Sequence, residues 1–259
     1  MKSNQTIQLL VATALLLSAG MVCADDVKVM ISGGFSAAYE PLVADYEAKT
    51  HTHVITVHGA SMGTTPNAIP NRLARGEPAD VVILAGPALV DLVKAGRIAS
   101  DSTVELARAK IGLAVKAGAP KPDISTLAGL KAALLAARSV VYSTSASGVY
   151  LTTTLFPQLG IAERLKKTGH ASPNEPAGAV VARGDADLAL QQISELKPVN
   201  GIDIVGPIPD AVQLITPFSA GITVNAAHVE AAKALIDFMT TAPAAAIIRA
   251  SGMEPSVHQ

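Results

Sequence analysis

Cysteine is almost absent: the one residue, Cys23, falls within the first 24 positions. That segment reads as a secretory leader. Lys2 gives a positive start, Leu9 to Leu17 an apolar stretch too short to span a bilayer, and Val22-Cys23-Ala24 a small residue suited to signal peptidase. It has no amphipathic stripe, acidic Asp25-Asp26 follow at once, and Gly20-Met21-Val22 is a poor lipoprotein box. Residues 1–24 are therefore read as a signal peptide and the protein as periplasmic. The remaining chain then has no disulfide, thiol nucleophile or thiolate ligand.

Charge of one sign is also lacking. The formal net charge is -1, without basic runs, which argues against nucleic acid as a partner. No later apolar stretch is long and uninterrupted enough for a membrane span. Stability must come from core packing alone, which about 235 residues can supply as one large domain or two lobes.

Short β-branched runs alternate with helical patterns, the mark of an α/β fold with largely parallel strands. Val27 to Ile31, Val54 to His58 and Asp80 to Leu84 read as strands. Helices are expected behind them, from Phe35 to Tyr46 (starting late or kinked because of Pro41), at Ile69 to Leu73, and at Pro87 to Ala95, closed by Gly96. A second series follows: strands at Ile111 to Val115, Ser139 to Tyr142, Leu188 to Gln191 and Ile202 to Val205, with helices at Ile124 to Ala137 and Tyr150 to Leu159. Ala220 to Val224 then reads as a strand, and Val229 to Thr240 and Pro243 to Ala250 as helices.

Three strand ends lead toward helix starts through loops that pair hydroxyls with glycines. These are Ser32-Gly33-Gly34-Phe35-Ser36, Gly59-Ala60-Ser61-Met62-Gly63-Thr64-Thr65 and Ser143-Thr144-Ser145-Ala146-Ser147-Gly148. Such loops let backbone N–H groups approach a ligand at the positive end of a helix dipole, so a small anion is the natural guest. Taken singly, each could be an ordinary turn or cap. Three together, at the carboxyl ends of strands, favour a site.

Gly59-Ala60-Ser61-Met62-Gly63 also spells the G-x-S-x-G nucleophile elbow, with Asp203 or Asp210 and His228 or His258 as conceivable triad partners. Pro66 and Pro70 oppose it by preventing a helix immediately after Gly63. His51 and His53 share one side of a strand but have no third ligand at metal spacing, so no metal is expected. His58 enters the Ser61 loop directly. Arg72, Arg75 and Arg183 are cations within reach of the loops, although a solvated helix face accounts for each. Gln191 and Gln192 close the Leu188 strand, and Glu195 behind them is a general-base candidate only if burial raises its pKa.

The order of these pieces resembles the periplasmic molybdate-binding proteins and the wider type II solute-binding proteins. "VMISGGFSAAYEPLVADYEAKT", "GASMG", "RGEPADVVILAG", "SASGVY" and "RGDADLALQQISEL" carry the resemblance, and Gly-x-Pro-Ala-Asp at Gly76 to Asp80 is the most specific. It implies an α/β, two-lobed periplasmic-binding-protein-like fold with a ligand cleft between lobes: 25–107 plus 216–259 as lobe 1 and 108–215 as lobe 2. Three departures imply a cleft larger than a cage for a tetrahedral oxyanion. Gly34 replaces a ligand serine, extra residues lie between Ser61 and Gly76, and Gln192 stands near a ligand tyrosine. "SGGF", "GASMGTTP", "YSTSASGVY", "QISEL" and "VGPIP" resemble more narrowly the aconitate isomerases built on this scaffold. That implies a cofactor-free allylic proton shift on a small tricarboxylate, with His58, Glu195 and Tyr150, in that order, as candidates for proton transfer. The alternatives are a receptor that binds an organic acid or oxyanion for a membrane transporter, and the serine hydrolase.

Overall fold

The computed structural model describes residues 26–173 and 175–256, so the leader expected at 1–24 lies outside the described residues. The strands are β1 (Val27–Ser32), β2 (Val54–Gly59), β3 (Val81–Ala85), β4 (Val104–Ala109), β5 (Ile111–Lys116), β6 (Val140–Ser143), β7 (Gly169–Ser172), β8 (Leu188–Gln192), β9 (Ile202–Pro207), β10 (Thr216–Ile222) and β11 (Glu254–Pro255). They form two sheets, one in the order β11-β4-β10-β3-β1-β2 and one in the order β7-β6-β8-β5-β9.

The sheets are mixed rather than largely parallel. β1 runs parallel to β2 and β3, and β6 parallel to β7 and β8. β10 is antiparallel to β3 and β4, and β5 antiparallel to β8 and β9. The exceptions are the strands that carry the chain between sheets. β4 passes into β5 with only Lys110 between them, and β10 returns the chain from β9, so β5 and β10 run against the other long strands of their sheets.

Alternation along the strands gives each sheet two buried faces. Val29 and Ile31 of β1 pack with Phe35, Tyr39, Leu235 and Ile236, while Met30 turns to the other face with Ile69, Leu84 and Leu89. In the second sheet Leu113 and Leu190 pack with Leu151 and Phe156, and Ala114 and Ala189 with Val181 and Leu196. Asp80 of the Gly-x-Pro-Ala-Asp stretch is buried and ties the first sheet together. Its carboxylate accepts the main-chain N–H of Lys28 at 2.8 Å, of Ala227 at 2.7 Å and of His228 at 3.1 Å.

The first helix starts directly after β1 and runs Gly33–Thr50 through Pro41, earlier than the proline suggested. The proline ring removes one ladder bond, but the buried stripe Phe35, Ala38, Tyr39, Leu42, Val43 and Tyr46 holds the helix to the sheet. The helix expected from Tyr150 begins at Ala146, widens into a π turn at Leu151–Leu155 and ends at Phe156–Gln158. Among the described residues no single helix is long and apolar enough to cross a membrane.

Candidate functional site

The carboxyl ends of β1, β2, β6 and β8 converge on a cleft of about 290 Å³. One wall carries Gly33, His58, Gly59, Ala60 and Asn67 from the first sheet's loops. The other carries Ser143, Thr144, Ser145, Gln191 and Glu195, with Ser172, Pro173, Glu175 and Pro176 at its margin. Grooves of larger volume lie elsewhere, such as one beside Ala99, Val224 and Lys233, but none of the three hydroxyl-glycine loops lines it.

The loops are fixed by their own polar groups. The Ser61 hydroxyl is buried and accepts the N–H of Ala85 at 2.9 Å, so the end of β3 supports the loop after β2. The Ser61 N–H donates across the cleft to the Ser145 hydroxyl at 3.2 Å. Ser143 and Ser147 share a hydrogen bond at 3.0 Å, and the Ser145 N–H donates to Ser143 Oγ at 3.3 Å. Asn71 Nδ2 donates to the carbonyls of Gly63 at 3.2 Å and Thr65 at 2.8 Å, clamping the loop from outside.

Among the described residues, the buried side-chain oxygens or nitrogens without a hydrogen-bond partner are Ser32 Oγ, Thr65 Oγ1 and Gln192 Oε1. Ser32 and Thr65 belong to the hydroxyl-glycine loops singled out from sequence, and Gln192 is the last residue of β8. A buried polar atom left unpaired costs about 1–3 kcal/mol, and such atoms gather where a ligand is to be held. Ser32 is the N-cap of the helix Gly33–Thr50 yet makes no capping hydrogen bond, and that helix has no acidic residue in its first turn. Its positive end thus faces the cleft without a countercharge of its own.

The proton-transfer candidates separate clearly. Glu195 keeps part of its surface at the cleft, but its carboxyl is enclosed, and burial pushes its pKa up to about 7. Hydrogen bonds from the Gln191 side chain and the Gln192 main chain pull the other way. Its Oε1 lies so close to Gly33 that a Cβ there would sit 2.7 Å away. His58 also lines the cleft, but its side chain is 56% exposed and its Nε2 lies 3.4 Å from Glu40 Oε1. The Tyr150 hydroxyl donates to the Val212 carbonyl at 2.8 Å, which commits it away from the cleft, and burial raises its pKa.

The remaining sequence candidates divide by place. Gly34 and Phe35 lie beneath the loop, and a Cβ at Gly34 would meet the Phe218 ring at 2.0 Å, so packing accounts for that glycine. Met62 is half-buried against the core, Gly63 and Thr64 are exposed, and Gly148 is buried behind Ser143. Gln191 Oε1 accepts the N–H of Ala177 at 2.8 Å, and Gln192 Nε2 donates to Thr216 Oγ1 at 2.9 Å. Arg72 is spent on Glu77 at 2.7 Å and on the Asn67 carbonyl at 3.2 Å. Arg183 is held bidentately by Glu175 at 2.6 and 3.0 Å. The serine elbow gains no support, because the Ser61 hydroxyl is buried and accepts the main-chain N–H of Ala85, while His258, one of the histidines considered for it, lies outside the described residues.

Sequence reading missed Asn67, Thr144 and the Ser172 to Pro176 margin. Thr144 sits inside the recognised Ser143 to Gly148 loop, and Asn67 two residues beyond the end of the Ser61 loop. The margin follows β7, whose Gly-His-Ala-Ser sequence has no apolar alternation to announce a strand end.

Comparison with known proteins agrees with this architecture. Residues 27–254 match the family described as bacterial extracellular solute-binding protein. The chain is 47% identical over 247 residues to an aconitate isomerase of Pseudomonas sp., covering 95% of this chain and 94% of that one. Among solved structures, the periplasmic molybdate-binding protein of Azotobacter vinelandii aligns with a TM-score of 0.70 at 21% identity, over 90% of this chain and 100% of that one. The sulfate-binding protein of Mycobacterium tuberculosis aligns with a TM-score of 0.66 at 19% identity, over 89% and 87%.

Proposed function

We propose that this chain, which belongs to the bacterial extracellular solute-binding protein family, is a periplasmic isomerase that interconverts cis- and trans-aconitate. The identity of 47% with an aconitate isomerase across nearly the whole of both chains supports the reaction. The observation that carries it at the site is Glu195, a carboxyl held near neutrality within a cleft of hydroxyls and helix-start amides.

Shifting the double bond along a tricarboxylate requires loss of an allylic proton beside a carboxylate and return of a proton at the other end of the allyl unit. The electron pair moves onto that carboxylate in between. Glu195, ionised at the upper side of its titration, takes the proton. A carboxyl poised near the working pH is both a competent base and, once loaded, a competent acid. The main-chain N–H groups at the start of Gly33–Thr50, with the hydroxyls of Ser32, Ser61, Ser143, Ser145 and Ser147 and the amides of Gln191 and Gln192, hold the carboxylates and the developing charge. On this reading the two sheets are the cores of two lobes, 25–107 with 216–259 and 108–215. His58 serves at the rim.

Purified protein given cis-aconitate should produce trans-aconitate, followed by chromatography, and absence of turnover would remove the enzyme assignment. A second reading, a receptor that delivers an unaltered organic acid to a membrane transporter, is favoured by the fold shared with molybdate- and sulfate-binding proteins. Calorimetry separates the two: tight binding of an unaltered solute supports the receptor, weak binding with conversion the enzyme.

A further inference from the structure

The short helix Ile193–Leu196 that carries Glu195 is held from both sheets. From the second sheet, Leu196 packs into the core beside Val181 and Ala189, and Ile193 presses on β5, where a Cβ at Gly112 would lie 2.6 Å from its Cγ1. Toward the first sheet it makes two polar contacts. Lys197 Nζ donates to the Ala250 carbonyl at 2.6 Å, near the surface. The Ser194 hydroxyl, fully buried, donates to the Gly34 carbonyl at 2.6 Å.

We infer that Ser194 is a positioning residue for the reaction: its bond to Gly34 latches the Glu195 helix onto the start of Gly33–Thr50 and fixes the Glu195 carboxyl over the cleft. The inference rests on the reading of Glu195 as the proton-transfer group. Two adjacent residues of one element meet two adjacent residues of another, Ser194 on Gly34 and Glu195 on Gly33, so the hydroxyl sets the distance at which the carboxyl stands from the helix start. The bond is dispensable for folding in a way that most buried bonds are not. Gly34 lies in the first turn of an α-helix, where its carbonyl already accepts the N–H four residues on, so removing the Ser194 hydroxyl strands no backbone group. What it releases is the seal that keeps water from Glu195.

The groups facing Glu195 leave little else to set its titration. Gln191 and the Gln192 main chain hydrogen-bond to it, and no charged side chain contributes to its shift. His58 and Glu175 share the cleft, the one paired with Glu40 and the other with Arg183. Loss of the latch therefore acts through hydration of the carboxyl.

The test measures kcat, KM and the pH profile of kcat/KM for wild type, Ser194→Ala, Ser194→Cys, Glu195→Gln and, as a control for docking alone, Lys197→Ala. Ser194→Ala should lower kcat by about tenfold to a hundredfold with KM changed less than about threefold. It should also move the acidic limb from about 7 toward the ordinary carboxylate range. Ser194→Cys, close in volume and a weak donor, should fall between, and decides the matter if the alanine variant does not fold. Lys197→Ala should keep the wild-type limb. A wild-type limb in both Ser194 variants, or the same displacement in Lys197→Ala, overturns the latch. If Glu195→Gln is inactive while the Ser194 variants behave as wild type, the latch alone fails. If Glu195→Gln retains wild-type rates, the base reading fails and takes the latch with it.

Discussion

The main-chain N–H of Ser61 reaches across the cleft to the Ser145 hydroxyl at 3.2 Å, joining the loop after β2 to the loop after β6. A hydroxyl that accepts this bond still has its own proton to give. Ser145 therefore both holds the walls at a fixed separation and offers a donor to an anion between them.

Ser145→Ala removes that donor and strands the Ser61 N–H. Binding of the substrate or of a non-reacting tricarboxylate should weaken by about 1–2 kcal/mol, roughly tenfold in Kd, measured by calorimetry. An unchanged Kd would place the ligand elsewhere.

Glu195 makes stability depend on pH in a definite direction. Its folded pKa is raised from 4.5 to about 7, so between those values the folded protein binds more protons than the unfolded chain and stability falls as pH rises. The full difference is on the order of 3 kcal/mol, absent below the unfolded pKa and complete above the folded one. Urea unfolding across this range should show the decline in wild type, and Glu195→Gln should flatten it while abolishing turnover.

Gly33→Ala and Gly34→Ala should part company although they are neighbours. At Gly33 the added methyl meets the far end of the Glu195 side chain at 2.7 Å, so the carboxyl shifts, the fold stays, and kcat falls by about tenfold or more. At Gly34 it meets the buried Phe218 ring at 2.0 Å, and overpacking should cost about 1–3 kcal/mol, read as a lowered Tm. Equal loss of Tm in both would contradict the assignment of Gly33 to the cleft.

Asp80→Ala leaves the N–H groups of Lys28, Ala227 and His228 without their carboxylate. Destabilisation of about 3 kcal/mol is expected by denaturant unfolding, with a smaller loss for Asp80→Asn, which keeps one carbonyl acceptor.

Much of this site was legible because its chemistry follows local rules. Hydroxyl-glycine loops after β-branched runs placed Ser32, Gly33, Ser61, Ser143 and Ser145 correctly at strand ends, and the condition set on Glu195, that burial raise its pKa, is met. What sequence could not order was the rank of His58, Glu195 and Tyr150. That rank depends on side chains distant in the chain: Glu40 beside His58, Val212 accepting from Tyr150, Gly33 against Glu195. The strand β4 was missed because Glu105 and Arg108 interrupt its apolar residues, and its burial comes from β10 far along the chain. Gly34 read as a ligand-loop glycine because nothing nearby in sequence announces the Phe218 ring.

The strand β10 lies inside the first sheet, between β3 and β4, yet it is supplied by residues that follow the whole of the second sheet. A chain emerging from the ribosome amino end first can complete the second sheet while β3 and β4 still present open edges to one another's missing neighbour. Long-range pairing of this kind is slow. The sheet whose strands are made first is thus the last to close, and its central edge waits on residues that arrive only after the whole of its neighbour.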